Sequence, residues 1–247
     1  MRLLTWNINH RTKRKPVPAQ LAEAIGSLTV DVAVLTEYVP APSREDFFKQ
    51  LESVGLKYKR MSRYTPGENH VLIASRGPLE DGDILADEIA PSVRSNALHV
   101  RVLGEGLEVL GLRVPDFSKE PRLRRACWDW ILATAGAVKG RPFVILGDFN
   151  TDPSYMRAKC GDRIGILKAT GWQHADPPEG QASYWTLRGD PKRIDHAFVS
   201  LHFTVRSARY VRENGPYVFA KGPGRLSDHA ALVVDITALR PARPGIT

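Results

Sequence analysis

Apolar residues along this chain gather into short runs rich in Val, Ile and Leu, and most runs stop at a turn residue or a polar cluster, the pattern of β-strands. The runs cover residues 3–8, 32–36, 70–75, 97–102, 107–114, 143–146, 193–199, 204–210 and 230–236. Between some of them the spacing becomes helical. Residues 18–28, 43–54 and 121–138 carry apolar side chains three or four apart, with Pro or Ser near each start. Many strands with helices between only a few of them suit two packed sheets covered by helices better than one doubly wound sheet. The expected fold is therefore α/β, two packed sheets with helices on their outer faces. A length of 247 residues fits a single domain, 1–247, with no linker inside it. Pro40-Ala41-Pro42 and Pro177-Pro178-Glu179-Gly180 read as loops, and the tail from about residue 238 as frayed.

Composition narrows the function only slightly. Hydrophobic residues at 43% and charged residues at 25% exclude a disordered, fibrous or membrane-spanning chain. A net charge of +8 fits a polyanionic partner, and it equally fits a preference for solubility. The two cysteines, Cys127 and Cys160, are too few for a disulfide framework and lack zinc-site spacing. No signal peptide or transmembrane segment is visible, so the expected location is the cytoplasm and no membrane partner is expected.

The candidate chemistry sits at the ends of the apolar runs. A strand that delivers a carboxylate at its end places the charge at a sheet rim, where sites of α/β proteins gather. Glu37 follows Val34-Leu35-Thr36, Asp148 follows Val144-Ile145-Leu146-Gly147 with Asn150 two residues on, and Asp228 precedes the last strand. Three acids on one rim would repel one another unless a cation lay between them. Taken singly, each reads as readily as a solvated loop acid or a cap. Asn7 closes the first strand and offers an amide, or simply caps a turn. His229 could stabilise charge on a phosphoryl group, with Asp195 fixing its tautomer if their strands are neighbours. Otherwise Asp195 pairs with Arg193.

Taken in order, Thr5-Trp6-Asn7-Ile8, Leu35-Thr36-Glu37, Leu146-Gly147-Asp148-Phe149-Asn150, Arg193-Ile194-Asp195 and Ser227-Asp228-His229 resemble the endonuclease/exonuclease/phosphatase superfamily, of exonuclease III and deoxyribonuclease I type. Asn69-His70-Val71-Leu72-Ile73-Ala74-Ser75-Arg76 is similar to that family's central strand. The resemblance implies a four-layered α/β sandwich, two facing mixed β-sheets flanked by helices, with the site at one rim. Glu37 would hold Mg²⁺ or Mn²⁺, with Asn7 beside it and Asp228 completing or flanking the shell. Asp148 would position or deprotonate the attacking water, Asn150 would bind a phosphate oxygen, and His229, oriented by Asp195, would stabilise the transition state. Water then attacks phosphorus in line, without a covalent intermediate.

Two positions depart from the family pattern. Where relatives present Tyr or His, Leu110-Gly111-Leu112-Arg113 presents Arg113, which cannot act as a general acid and could clamp a phosphate oxygen or pair with Asp116. The acid Asp116 after Pro115 is a second departure. Trp185 stands where relatives line the substrate pocket with an aromatic. Arg11 and Arg14, in Arg11-Thr12-Lys13-Arg14-Lys15, and the basic run Arg122-Leu123-Arg124-Arg125 could track a nucleic-acid backbone. The reading is a monomeric metal-dependent nuclease acting on nucleic acid, DNA above all. The alternatives are a phosphoesterase for small molecules or lipid headgroups, and an inactive binding module.

Overall fold

Alternation of side chains along the strands decides how this molecule is layered. A computed structural model describes residues 1–13, 16–40, 44–86, 91–116 and 119–239. In chain order its strands are β1 (Arg2–Asn7), β2 (Val32–Tyr38), β3 (Tyr58–Met61), β4 (His70–Ser75), β5 (Leu79–Asp81), β6 (Ala97–Val102), β7 (Leu107–Arg113), β8 (Phe143–Asp148), β9 (Gln173–His174), β10 (Tyr184–Trp185), β11 (Pro191–Lys192), β12 (Asp195–Val199), β13 (Phe203–Val211), β14 (Glu213–Asn214), β15 (Tyr217–Val218) and β16 (Ala231–Ala238). The helices are α1 (Gln20–Ser27), α2 (Arg44–Ser53), α3 (Pro91–Arg94), α4 (Pro121–Val138) and α5 (Asp162–Ala169).

Among the described residues the strands form two six-stranded sheets, ordered β13-β16-β1-β2-β4-β3 and β5-β6-β7-β8-β12-β9, and two small hairpins. Both large sheets are mixed. In each, one central pair is parallel, β1 with β2 and β7 with β8. Leu3, Val32, Val34, Val71 and Ile73 of the first sheet pack against Val100, Val109, Val144, Leu146, Ala197 and Val199 of the second. The alternate residues Leu4, Trp6, Ala33 and Leu35 face α1 and α2. On the other side Leu110, Leu112, Phe143, Ile145 and Phe198 face α4 and α5. The result is the expected four-layered sandwich.

Gly111 shows how closely the sheets approach. It lies on the inter-sheet side of β7, and a Cβ there would stand 2.7 Å from Val34 Cγ1 and 3.1 Å from Val71 Cγ1. Gly111→Val is therefore expected to destabilise the fold by about 1–3 kcal/mol through overpacking. Thermal denaturation should show the midpoint falling by about 2–4 °C for each kcal/mol. An unchanged midpoint would mean that the two sheets part freely at this point.

The helix α5 escapes the periodicity reading, because Asp162-Arg163-Ile164-Gly165-Ile166-Leu167-Lys168-Ala169 has no clean apolar stripe and a Gly inside it. The run 193–199 becomes strand only from Asp195, and 143–146 continues as strand to Asp148. Ser43 and residues 240–247 lie outside the described residues, whereas Ala238 is still within β16. Cys127 and Cys160 are both buried free thiols, and burial pushes the Cys127 thiol up to about 12, which leaves no thiolate for nucleophilic chemistry. No helix among the described residues is long and apolar enough to cross a membrane.

Candidate active site

The parity that builds the inter-sheet core also delivers the site. Asn7 continues the inward face of Leu3 and Thr5 on β1. Arg113 continues that of Val109 and Gly111 on β7, Asp148 that of Val144 and Leu146 on β8, and Asp195 that of Ala197 and Val199 on β12. Apolar inward residues fill the middle of the sandwich, and polar ones emerge at its rim. Register then aligns three of them: Arg113 is the partner of Asp148 across β7 and β8, and Asp195 is its partner across β8 and β12. Side chains so paired stand about 4.5–5.5 Å apart at Cβ.

Glu37 reaches the same rim by a different device. Simple alternation from Val32 and Val34 would point it outward towards α1 and α2. However, the pairing of β2 with β4 shifts between Leu35 and Tyr38, where two residues of β2, Thr36 and Glu37, oppose one of β4, Val71. This bulge reverses the parity, so Tyr38 packs on the helix side and Glu37 turns into the cleft. Glu37 takes φ of 55°, a left-handed conformation that is strained for a side chain with a Cβ.

The contacts form one network. Asp148, buried, accepts from Asn7 Nδ2 at 3.0 Å, from the Asn150 backbone N–H at 2.9 Å and from Asn150 Nδ2 at 3.3 Å. Asn150 Nδ2 also donates to Val114 O at 2.7 Å, so its amide is engaged in placing Asp148. Arg113 Nη2 lies 2.8 Å from Glu37 Oε1, and its Nε lies 3.6 Å from Asp148 Oδ2. His10 Nδ1 lies 3.1 Å from the other Glu37 oxygen. His229 Nδ1 meets Asp195 Oδ2 at 2.8 Å. The two adjacent acids Asp148 and Asp195 are thus flanked by cations, Arg113 on one side and His229 on the other.

Two buried serines hold the strand ends. Ser227 Oγ donates to Asn7 O at 2.6 Å and accepts from the His229 N–H, while Ser183 Oγ accepts from the backbone of Ile194 and Asp195. Trp6 Nε1 fixes the His229 carbonyl at 2.9 Å. Burial raises the Asp148 pKa, Asp195 raises it further, and His229 and Arg113 oppose both. Burial disfavours charge on His229, but Asp195, Asp148 and Asp228 outweigh it and raise the imidazole to about 10. In imidazole NMR of the metal-free protein, His229 is expected to stay protonated through neutral pH. Asp195→Asn should lower its titration, since burial then acts with less opposition. A titration unmoved by that substitution would show that Asp195 does not set the charge.

Above this floor lies a cleft of about 500 Å³, lined by Asn7, Glu37, Asp148, Asn150, Asp228 and His229 together with Asp116, Arg124, Tyr155, Lys159 and Tyr184. Asn7, Glu37 and Asp228 present hard oxygen donors into it. Asp148, Asp195 and His229 also bring one ligand atom each within 4.8 Å of one another. A second group among the described residues, Asp83, His99 and Glu108, lies at the far end of β7 and is tied by Arg141, which pairs with Asp83 at 2.9 Å and with Glu108. An ion-pair network accounts for it.

Several positions differ from expectation. Arg113 pairs with Glu37 rather than Asp116, which instead meets Arg124 at 3.2 Å. Arg193 pairs with Asp176, and Asp195 instead meets His229, the partner the sequence reading gave it. In the hairpin of β10, Tyr184 faces the cleft, whereas Trp185 packs on the inter-sheet core beneath Arg212 and Lys221. Arg11 donates to the carbonyls of Leu226 and Arg225 and so braces the loop before Asp228. Arg14 lies outside the described residues. Arg124 belongs to the basic run noted in the sequence, whereas His10, Tyr155, Lys159 and Tyr184 were not singled out there. Only the nearness of His10 to Asn7 and of Tyr155 and Lys159 to Asn150 hinted at them.

Residues 4–229 match the model of the Endonuclease/Exonuclease/phosphatase family. No curated protein matches the sequence. Among solved structures, an AP endonuclease from Archaeoglobus fulgidus superposes with a TM-score of 0.73 at 16% identity, over 95% of this chain and 98% of that one. A 3′-5′ exonuclease from Neisseria meningitidis gives 0.65 at 18% identity, over 95% and 99%. A 3′ phosphatase from Neisseria, bound to a product DNA hairpin, gives 0.68 at 18%, over 96% and 99%. At these identities the likeness establishes the fold.

Proposed function

Because this chain belongs to the Endonuclease/Exonuclease/phosphatase family, whose members are divalent-metal-dependent phosphoesterases, we propose that it hydrolyses phosphodiester bonds of nucleic acid. The observation that carries the reading is the row Arg113, Asp148 and Asp195 on the rim of one sheet, met by His229 from the start of the last strand of the other, set beside Asn7, Glu37 and Asp228, which line one cleft. The rim of that cleft adds cations and flat rings, Arg124 and Lys159 with Tyr155 and Tyr184, groups that suit phosphates and bases. A net charge of +8 favours the same substrate, and one solved neighbour was bound to DNA.

The donor set fits a hard divalent cation. Asn7, Glu37 and Asp228 offer an amide oxygen and two carboxylates, and no thiolate lines the cleft. When bound, Mg²⁺ or Mn²⁺ supplies charge compensation at the phosphoryl oxygens and lowers the pKa of water. The chain's own residues do the rest. Asp148, held by Asn7 and Asn150, orients the attacking water and takes its proton. His229, kept cationic and fixed in direction by Asp195, faces the charge that spreads over the equatorial oxygens. Arg113 cannot surrender a proton, so the leaving oxygen takes its proton from water or from another residue of the cleft.

The test incubates the protein, with Mg²⁺, with Mn²⁺ or with chelator, with plasmid DNA, single-stranded DNA, RNA and an abasic-site duplex, beside His229→Ala. Metal-dependent cleavage that disappears in the variant is expected. Hydrolysis of bis(p-nitrophenyl) phosphate without cleavage of any polynucleotide would move the substrate to small esters, and no hydrolysis at all would leave a binding module.

A further inference from the structure

We propose that Arg113 is the resident counter-cation of the Glu37 centre and that it exchanges partners when a divalent cation binds there. The proposal rests on the metal-dependent reading above and concerns what this particular chain does with its arginine. Both Glu37 oxygens are already committed, Oε1 to Arg113 Nη2 at 2.8 Å and Oε2 to His10 Nδ1 at 3.1 Å. An incoming cation must therefore take Glu37 from a group of like charge. The Arg113 and Glu37 side chains are each only 12% exposed, so water screens that competition poorly.

The guanidinium is also left incomplete in its present position. Its Nε is buried and has no hydrogen-bond partner among the described residues, and Asp148 Oδ2 stands 3.6 Å away, just beyond hydrogen-bond reach. A buried donor without an acceptor is costly. Release from Glu37 allows a small movement that closes this gap and gives Nε its acceptor. Arg113 thus stands between an acid of the first sheet and an acid of the second, satisfied fully by neither. With Glu37 held by a metal, Arg113 turns to Asp148 and to the phosphoryl oxygen beside it. A Tyr or His at this position could not act so, because neither carries a permanent positive charge.

Metal affinity is read by calorimetric titration of Mn²⁺ into the wild type, Arg113→Gln and Arg113→Lys, with no substrate present. Removing a competitor for Glu37 should tighten Mn²⁺ binding in Arg113→Gln by about tenfold, a coupling of ordinary size. Arg113→Lys, which keeps the charge, should stay closer to the wild type. Thermal denaturation should agree: Arg113→Gln melts lower than the wild type without metal and gains more from Mn²⁺. Damage to the fold would weaken binding, so tighter binding separates competition from damage. Unchanged or weaker binding in Arg113→Gln overturns the proposal. Should that variant fail to fold, the wild type decides. Saturation with diamagnetic Mg²⁺ should shift the Arg113 Nε–H resonance, identified by its loss in Arg113→Lys, and an unmoved resonance overturns the exchange. If binding behaves as expected and no polynucleotide is cleaved, the nucleic-acid reading fails and the exchange stands.

Discussion

Asp148→Asn is expected to lower kcat by about 10²–10⁴-fold, the usual contribution of a positioned general base. Its thermal midpoint should meanwhile stay within about 2–4 °C of the wild type. Asp148 lies opposite Asp195 in the register of β8 and β12, and burial together with that neighbour raises its pKa. A carboxyl raised in this way binds its proton more readily in the folded than in the unfolded chain. Its ionisation near neutrality therefore opposes folding, and stability from this group increases on acidification. Asn removes the repulsion but offers an N–H₂ where Asn7 and Asn150 both need an acceptor. The two effects oppose each other, so stability moves little while the water loses its base. Steady-state kinetics beside thermal denaturation separates the roles. A collapse of stability comparable to the loss of activity would make Asp148 a structural residue.

Most of this site was legible because strand ends are legible. Asn7, Glu37, Asp148, Asp195 and the pair Asp228 and His229 each stand where an apolar run begins or ends, and alternation along β1, β7, β8 and β12 turns Asn7, Arg113, Asp148 and Asp195 into the space between the two sheets. What alternation cannot supply is an irregularity. Glu37 points into the cleft because of a bulge, and no feature of Leu35-Thr36-Glu37-Tyr38 announces the extra residue. The choice between Tyr184 and Trp185 failed for a related reason: adjacent residues of a short hairpin point opposite ways, and only docking decides which faces the site. Arg124 arrives from α4 and Lys159 from the loop after β8, so their place depends on how helix and loop pack. The partner of Arg113 was equally hidden. Asp116 is nearer in sequence, yet register sets Arg113 beside Asp148 and within reach of Glu37, while α4 brings Arg124 to Asp116.

His229→Ala is expected to cost about 10²–10³-fold in kcat, the usual loss when a preorganised donor is removed from a developing oxyanion. Asp195→Asn should lose much of the same effect, and the double variant little more than His229→Ala, because the aspartate acts through the imidazole. The charge on His229 has a second signature. Its folded pKa is raised from 6.5 to about 10, so the stability it contributes is complete below 6.5 and declines as pH rises towards about 10. Chemical denaturation should find the gap between wild type and His229→Ala wide at pH 6 and narrow by pH 10. A bound divalent cation repels the imidazolium, so the alkaline limb of kcat in the loaded enzyme should fall between 6.5 and 10. In Asp195→Asn that limb should move towards neutrality, because burial then disfavours the imidazolium with less to oppose it. An alkaline limb that ignores Asp195 would mean that the group limiting the rate at high pH is not His229.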